Sequence, residues 1–390
     1  MDPVQNPYSP GAGSRPAALV GRDAAIEDWD VALRRIERRG RSSQPFVLYG
    51  LRGVGKTVLL EEFRRKAHER EWIVAKVEAS PDVSLRRLLA EALYAPLMDL
   101  ARPNAGMRIL KALKTLASFK ASYDSSGAWT FGLDLSSARG GGADTGVLET
   151  DLRMLVEDLA GAAEDEGVGL GILIDEAQDL PRDELATLCA IAHAATQEER
   201  HVQFALAGLP SLPSLLAEAR SYTERFHYTR IEQLTPEAVV GALTIPADEE
   251  GVRWEEAATE LVVRESGCYP YFLQQFGYDT WDGAAGPDVI SLEDARLGVA
   301  VGKHKLDNGF FRSRWDRATR AEQTYLRQMA LDGDAGSQTA VVAERLGRSP
   351  SSLGPTRAKL IGKGLVYAPE HGVVAFTVPG MAAFIDRQTQ

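Results

Sequence analysis

The stretch Phe46-Val-Leu-Tyr-Gly50-Leu-Arg-Gly-Val-Gly55-Lys-Thr57 decides how the rest of the chain is read. Phe46 to Tyr49 are four apolar residues in a row, the pattern of a buried strand. After Thr57, apolar residues recur at Val58, Leu59, Phe63 and Ala67, the spacing of an amphipathic helix. Between them lies Gly50-x-x-x-x-Gly55-Lys56-Thr57, the P-loop spacing in its required strand–loop–helix context. Gly50, Gly53 and Gly55 let the backbone fold back so that several N–H groups converge on one point. The positive end of the following helix adds to them, which makes the point an anion site suited to phosphate. The expected cradle is Gly50, Leu51, Arg52, Gly53, Val54, Gly55, Lys56, Thr57 and Val58. Lys56 would reach the outer phosphates, and the Thr57 hydroxyl would ligate Mg²⁺.

A second motif supports the first. Val168-Gly-Leu-Gly-Ile-Leu-Ile-Asp175-Glu176 is an apolar strand that ends in an acidic pair, about 120 residues after the loop. This is the Walker B pattern, in which Asp175 would hold the Mg²⁺ shell and Glu176 would orient or deprotonate the attacking water. An isolated acidic pair after a strand also serves as a helix cap; the P-loop upstream favours the chemical role.

Outward from these motifs the chain alternates strands and helices. Leu19-Val20-Gly21-Arg22 precedes a helix with Ile26, Trp29, Leu33 and Ile36 on one face. Further strands are expected at Trp72–Val77, Val202–Ala207 and Thr229–Gln233, and helices at Leu85–Leu100 (capped by Ser84), Leu148–Ala163 and Asp183–Glu198. Residues 104–147 break the alternation: Met107–Phe119 is a basic amphipathic stretch, Ala128–Leu135 alternates like a strand, and Ser136–Gly146 is glycine-rich. This reads as an insertion with a short hairpin and a mobile loop, a candidate contact for a protein partner.

The remaining composition sets bounds. A chain of 390 residues predicts two or three domains. No stretch approaches the roughly 18 apolar residues of a membrane span, so no membrane partner is expected. Met1 to Pro16, rich in Pro, Gly and Ser, reads as a disordered tail. Cys189 and Cys268 form no metal or redox motif and read as buried thiols of a cytoplasmic protein. Thr235 capping and Pro236 at the first helical position open a segment, 236–302, that looks all-helical. Residues 303–390 begin with a basic connection (303–312) and then read helix, helix, turn, helix, hairpin, the order of a winged helix. Its recognition helix, about Ser352 to Lys363, carries Arg357, Lys359 and Lys363, with Arg348 just before it and Pro355 in its first turn. His371 sits at the wing tip. This end carries a net charge of +5 in a chain of −11, so a polyanion would meet it there. Double-stranded DNA is the expected partner of those four basic residues; a winged helix that contacts protein is the alternative.

Taken together, the P-loop, the Asp175-Glu176 strand, the Val20-Gly21-Arg22 box, the helical segment and the C-terminal winged helix resemble the AAA+/STAND-like P-loop ATPases, nearest to the archaeal-ATPase and replication-initiator architecture. The resemblance covers residues 17–390. It implies an α/β fold: a parallel sheet core of five strands flanked by helices (17–235), an all-helical lid (236–302) and a winged-helix domain (303–390). It further implies MgATP between core and lid, with Val20, Gly21 and Arg22 abutting the adenine. Pro270, in Gly267-Cys268-Tyr269-Pro270, would pack near the adenine where replication-type members carry an arginine. Glu224-Arg225-Phe226 resembles the element that presents an arginine finger to a neighbouring subunit, which makes Arg225 (or else Arg220) a candidate catalytic group of a homo-oligomer. The strand ending at Ala207 lacks the usual polar sensor, and Ser211 is the nearest substitute. The expected activity is ATP binding and slow, assembly-dependent hydrolysis in a switch that binds DNA. A STAND-type signalling or defence NTPase is the alternative.

Overall fold

The computed structural model describes residues 1–11, 13–101, 106–121 and 141–388. The expected strand at Ala128–Leu135 lies outside the described residues.

The core opens with α1 (Asp23–Arg39), followed by β1 (Phe46–Tyr49), α2 (Lys56–His68), β2 (Ile73–Glu78), α3 (Leu85–Leu100), α4 (Met107–Ala121), α5 (Leu148–Asp165), β3 (Leu170–Asp175), α6 (Arg182–Gln197), β4 (Val202–Gly208), α7 (Leu212–Ala219) and β5 (His227–Arg230). The strands form one parallel sheet in the order β2-β3-β4-β1-β5. β3 and β4 are buried along their whole length, which is why they read as continuous apolar runs rather than alternating ones. α1 and α2 pack through Trp29 and Phe63, whose rings stack with centroids 4.6 Å apart, and the Trp29 indole N–H donates to the Phe63 carbonyl. β5 is His227–Arg230 rather than 229–233. Phe46 to Tyr49 pair with His227 to Arg230, and the Ile231 N–H closes the register on the Tyr49 carbonyl.

In the insertion, α4 buries Ile109, Leu113, Leu116 and Phe119, and its Lys111 pairs with Asp158 of α5 at 2.6 Å. The apolar face of this basic helix is thus occupied by the protein's own core.

The lid comprises α8 (Pro236–Glu249), β6 (Arg253–Trp254), α9 (Glu256–Ser266), α10 (Pro270–Gly283), β7 (Val289–Ile290) and α11 (Leu292–Lys305). It is not purely helical, because β6 and β7 pair in parallel. Within the segment whose composition suggests a disordered tail, the described residues around Tyr8 pack on the lid. Tyr8 is 2% exposed; its hydroxyl donates to the Leu243 carbonyl and accepts from the Trp254 indole. The Met1 ammonium donates to the Ala284 carbonyl, and the Trp281 indole donates to the Asp2 carbonyl. One buried aromatic with both polar neighbours satisfied outweighs the loop-like composition around it.

Beyond the lid, the expected basic connection is helical. α11 runs on through a wide turn (Leu306–Phe311) into α12 (Arg312–Asp316). The C-terminal part then folds as α13 (Arg320–Ala330), β8 (Ser337–Gln338), α14 (Thr339–Arg345), α15 (Pro350–Gly362), β9 (Val366–Tyr367), β10 (Val373–Phe376) and α16 (Met381–Arg387). β10 is the middle strand of an antiparallel sheet, between β8 and β9. Ser349 caps α15, which begins two residues earlier than expected and so carries Pro355 inside the helix. This part packs back on the connection and, through it, on the lid: the Phe311 and Phe384 rings stack 5.4 Å apart, and Phe311 meets Phe272 of α10 at 5.9 Å.

Candidate active site

At the carboxyl ends of β1 and β3 the structure brings the loop, the acidic pair and the lid together around a cleft of about 550 Å³. Arg52, Gly53, Val54, Gly55, Lys56, Thr57, Val58 and Glu176 line it from the core, Val20 and Arg22 from the segment before α1, and Pro270 from the lid. Gly21, Gly50, Leu51 and Asp175 support this wall without lining the cleft.

Gly53 and Gly55 adopt φ of +81° and +95°, so the loop turns in the left-handed region that glycine permits. Lys56, at the start of α2, is 6% exposed, and its ammonium donates to the Gly50 and Leu51 carbonyls at 3.0 and 2.8 Å. Burial pulls its pKa down to about 8, while the charges of Glu176 and Asp175 hold it up and Arg52 lowers it. Asp175 ends β3, is 4% exposed and accepts the Glu176 backbone N–H at 2.9 Å.

Glu176 stands in the left-handed region at φ +48°. One carboxylate oxygen faces the Arg52 guanidinium at 3.3 Å, and the other accepts from the Gln178 amide at 2.6 Å. Gln178 was not singled out in the sequence. Its carbonyl oxygen accepts the Leu209 N–H at 2.9 Å, which ties Glu176 to the end of β4. It also explains why β4 ends in glycine. A Cβ on Gly208 would lie 2.4 Å from the Gln178 oxygen. The polar group expected at the end of this strand therefore reaches it from the loop after β3. Ser211, the substitute named above, instead starts α7 and makes no side-chain cap bond.

Arg22 serves the wall. Its guanidinium donates to the Val54 carbonyl at 3.0 Å and the Glu232 carbonyl at 2.6 Å, clamping the segment before α1 to the loop and to the exit of β5. Arg225 is exposed at the end of a short turn and lies outside the cleft, whereas Arg220 pairs with Glu149 at 3.5 Å.

The C-terminal part also reaches the loop. The Arg52 backbone N–H donates to the Thr377 carbonyl at 3.1 Å, and the Arg52 guanidinium lies so close to Gly364 that a Cβ there would sit 2.7 Å from it. Arg52 thus touches the acidic residue of the cleft with its side chain and the C-terminal sheet with its backbone.

The basic residues expected to meet DNA divide. Arg348 and Lys359 are exposed. Arg357 is half-buried and donates to the Thr339 hydroxyl at 3.4 Å. Lys363 is not offered to a partner. It pairs with Glu322, itself 3% exposed, at 2.6 Å and donates to the Arg317 carbonyl at 2.9 Å, so it closes α15 onto α13.

Residues 18–205 match the AAA ATPase domain family. The core is an AAA ATPase domain. The chain is accordingly an ATP-hydrolysing enzyme of the AAA+ type. Residues 308–385 match a domain of unknown function. The whole fold is similar to the Walker-type ATPase of Pyrococcus abyssi, at 15% identity and TM-score 0.58, covering 97% of this chain and 98% of that one. It is also similar to the ORC2 protein of Aeropyrum pernix, solved as ADPNP–ADP complexes, at 15% identity and TM-score 0.54, covering 96% and 95%. Cdc6p of Pyrobaculum aerophilum aligns at 16% identity and TM-score 0.50, covering 99% and 97%. At these identities the likeness is one of fold. No curated protein sequence matches this one. Among the described residues no helix is long and apolar enough to cross a membrane.

Proposed function

We propose that this ATPase works as a nucleotide-dependent switch whose C-terminal part is a winged helix that binds double-stranded DNA. The observation that carries the reading is Arg52. This residue of the phosphate loop pairs with Glu176 through its side chain and donates its backbone N–H to the Thr377 carbonyl, which ties the C-terminal sheet to the loop that lines the cleft. A triphosphate that draws Arg52 toward itself would loosen both contacts at once, and hydrolysis would restore them.

Within the cleft, Lys56 would bind the outer phosphates in exchange for the Gly50 and Leu51 carbonyls. The Thr57 hydroxyl and the buried Asp175 carboxylate are hard oxygen donors beside the loop, a set that fits Mg²⁺ held jointly with phosphate oxygens. The metal would supply charge neutralisation of the phosphates. Glu176 would hold or deprotonate the attacking water, and Gln178 would hold Glu176 in place. Val20 and Pro270 would form the apolar wall for the base. Exposed Arg225 would complete the site of a neighbouring copy.

DNA contact rests on the net +5 of residues 303–390, on the exposed Arg348 just before α15 and Lys359 in its last turn, and on a three-helix arrangement followed by a hairpin. The internal use of Lys363 favours the protein-contacting alternative.

A Glu176→Gln variant tests the enzymology: it is expected to keep ATP affinity and to lose turnover by about 10²- to 10⁴-fold. Retained turnover would remove Glu176 from the mechanism. Fluorescence anisotropy with a DNA duplex at about 50 mM salt tests the partner. Binding that weakens steeply with salt supports the switch on DNA, and no binding supports the protein-contacting form.

A further inference from the structure

Among the described residues, five cations line the nucleotide cleft: Arg22, Arg52, Lys56, Lys305 and Arg314. Four have an evident role or counter-charge. Arg22 clamps two backbone carbonyls, Arg52 faces Glu176, Lys56 is the loop lysine, and Lys305 pairs with Asp279. Arg314 is different. It stands on α12, beyond the lid, where the helical connection enters the C-terminal part. It is half-buried and pairs with no carboxylate among the described residues. Its guanidinium lies over the Phe310 ring, 3.8 Å from the centroid, and donates to the Phe310 carbonyl at 2.6 Å. Burial pulls its pKa down to about 10, and the nearby Arg52 charge pulls the same way.

A cation that is removed from water and set beside a second cation, without a carboxylate, is costly unless an anion arrives. The loop and Glu176 line the same cleft, so the anion with the right address is the phosphate chain itself. The aromatic and carbonyl contacts hold the guanidinium in place but leave donors free, since a guanidinium carries five N–H groups.

We propose that Arg314 is a phosphate-binding residue contributed from beyond the lid, one that engages the outermost phosphate of ATP and so discriminates ATP from ADP. It gives the C-terminal part its own contact with the nucleotide, beside Arg52 and in addition to the Arg52–Thr377 seat. This rests on the reading of the cleft as the ATP site. Phe310 acts as the rest on which the guanidinium waits, and the helical turn Leu306–Phe311 sets its reach.

The test is calorimetric titration of the full chain with MgATP analogue and, separately, MgADP. Wild type, Arg314→Gln, Arg314→Lys, Lys56→Ala and, as a control, the exposed Arg312→Gln are compared. Arg314→Gln keeps a donor for the Phe310 carbonyl but loses the charge, so it preserves the local fold. The expected result is a loss of about 10- to 100-fold in affinity for the ATP analogue, the range of a charged hydrogen bond, with ADP affinity within about twofold of wild type. Arg314→Lys is expected to recover part of the loss, and Arg312→Gln, exposed and outside the cleft, to bind both nucleotides as wild type does. Equal weakening of ATP and ADP, or no weakening of either, would overturn the proposal. Unaltered binding in Lys56→Ala would instead overturn the ATP-site reading beneath it.

Discussion

The cations of the nucleotide cleft and those of the C-terminal part are held in opposite ways. In the C-terminal part, Lys363 closes on Glu322, Arg345 grips Asp332 with two nitrogens at 2.6 and 2.8 Å, and Arg387 does the same with Asp307. In the cleft, Lys56 and Arg314 rest on backbone carbonyls and an aromatic face. A count of charges makes the C-terminal part the more basic of the two. The pairing shows that the cleft holds two withdrawn cations, Lys56 and Arg314, that form no ion pair with a carboxylate among the described residues. Local anion affinity follows from uncompensated burial, not from net charge.

Substitutions can break or sharpen that contrast. Lys56→Ala should have the largest effect: nucleotide affinity falls by about a hundredfold or more, read by calorimetry, because a charge-assisted phosphate contact is lost from a buried position. Lys363→Met should do something different. It leaves the buried Glu322 with the bonds from Thr319 and no counter-charge, so stability falls by about 1–3 kcal/mol in denaturant unfolding while DNA affinity is unchanged. The same pair predicts an acid sensitivity. Burial raises the Glu322 pKa, but the bonds from Lys363 and Thr319 outweigh it and hold it below the ordinary glutamate value. The pair's stabilisation is therefore complete above that ordinary value and is lost as pH falls through the lowered folded one. Lys363→Met should flatten this dependence.

Gln178→Leu comes next. Turnover should fall by about tenfold with ATP affinity kept, since Glu176 loses the group that positions it. Arg348→Ala and Lys359→Ala should each cut the slope of log affinity against log salt for DNA by about 0.9 and leave stability unchanged. A loss in Lys363→Met equal to theirs would contradict the division between free and committed cations.

Much of this was legible in the sequence. The P-loop, the acidic strand end and four of the five strands rest on local signals: glycine spacing, continuous apolar runs and caps such as Ser84 and Thr235. What escaped depends on contacts distant in the chain. Tyr8 finds Leu243 and Trp254, and so orders a segment of tail-like composition. Gln178 finds the end of β4 only because Gly208 leaves it room. Arg52 meets Thr377, and Arg314 enters the cleft from beyond the lid. No periodicity encodes these meetings. The misplacement of β5 by two residues has the same origin, since β1 sets its register.

The most direct test of the account is the distance between core and C-terminal part, followed by energy transfer between one label on α1 and one on the turn between β9 and β10 near His371. Addition of a non-hydrolysable MgATP analogue should change the distance, and MgADP should leave it as in the nucleotide-free protein. The same distance in all three states, with binding of both nucleotides verified in the labelled protein, would contradict a switch built on the seat between Arg52 and Thr377.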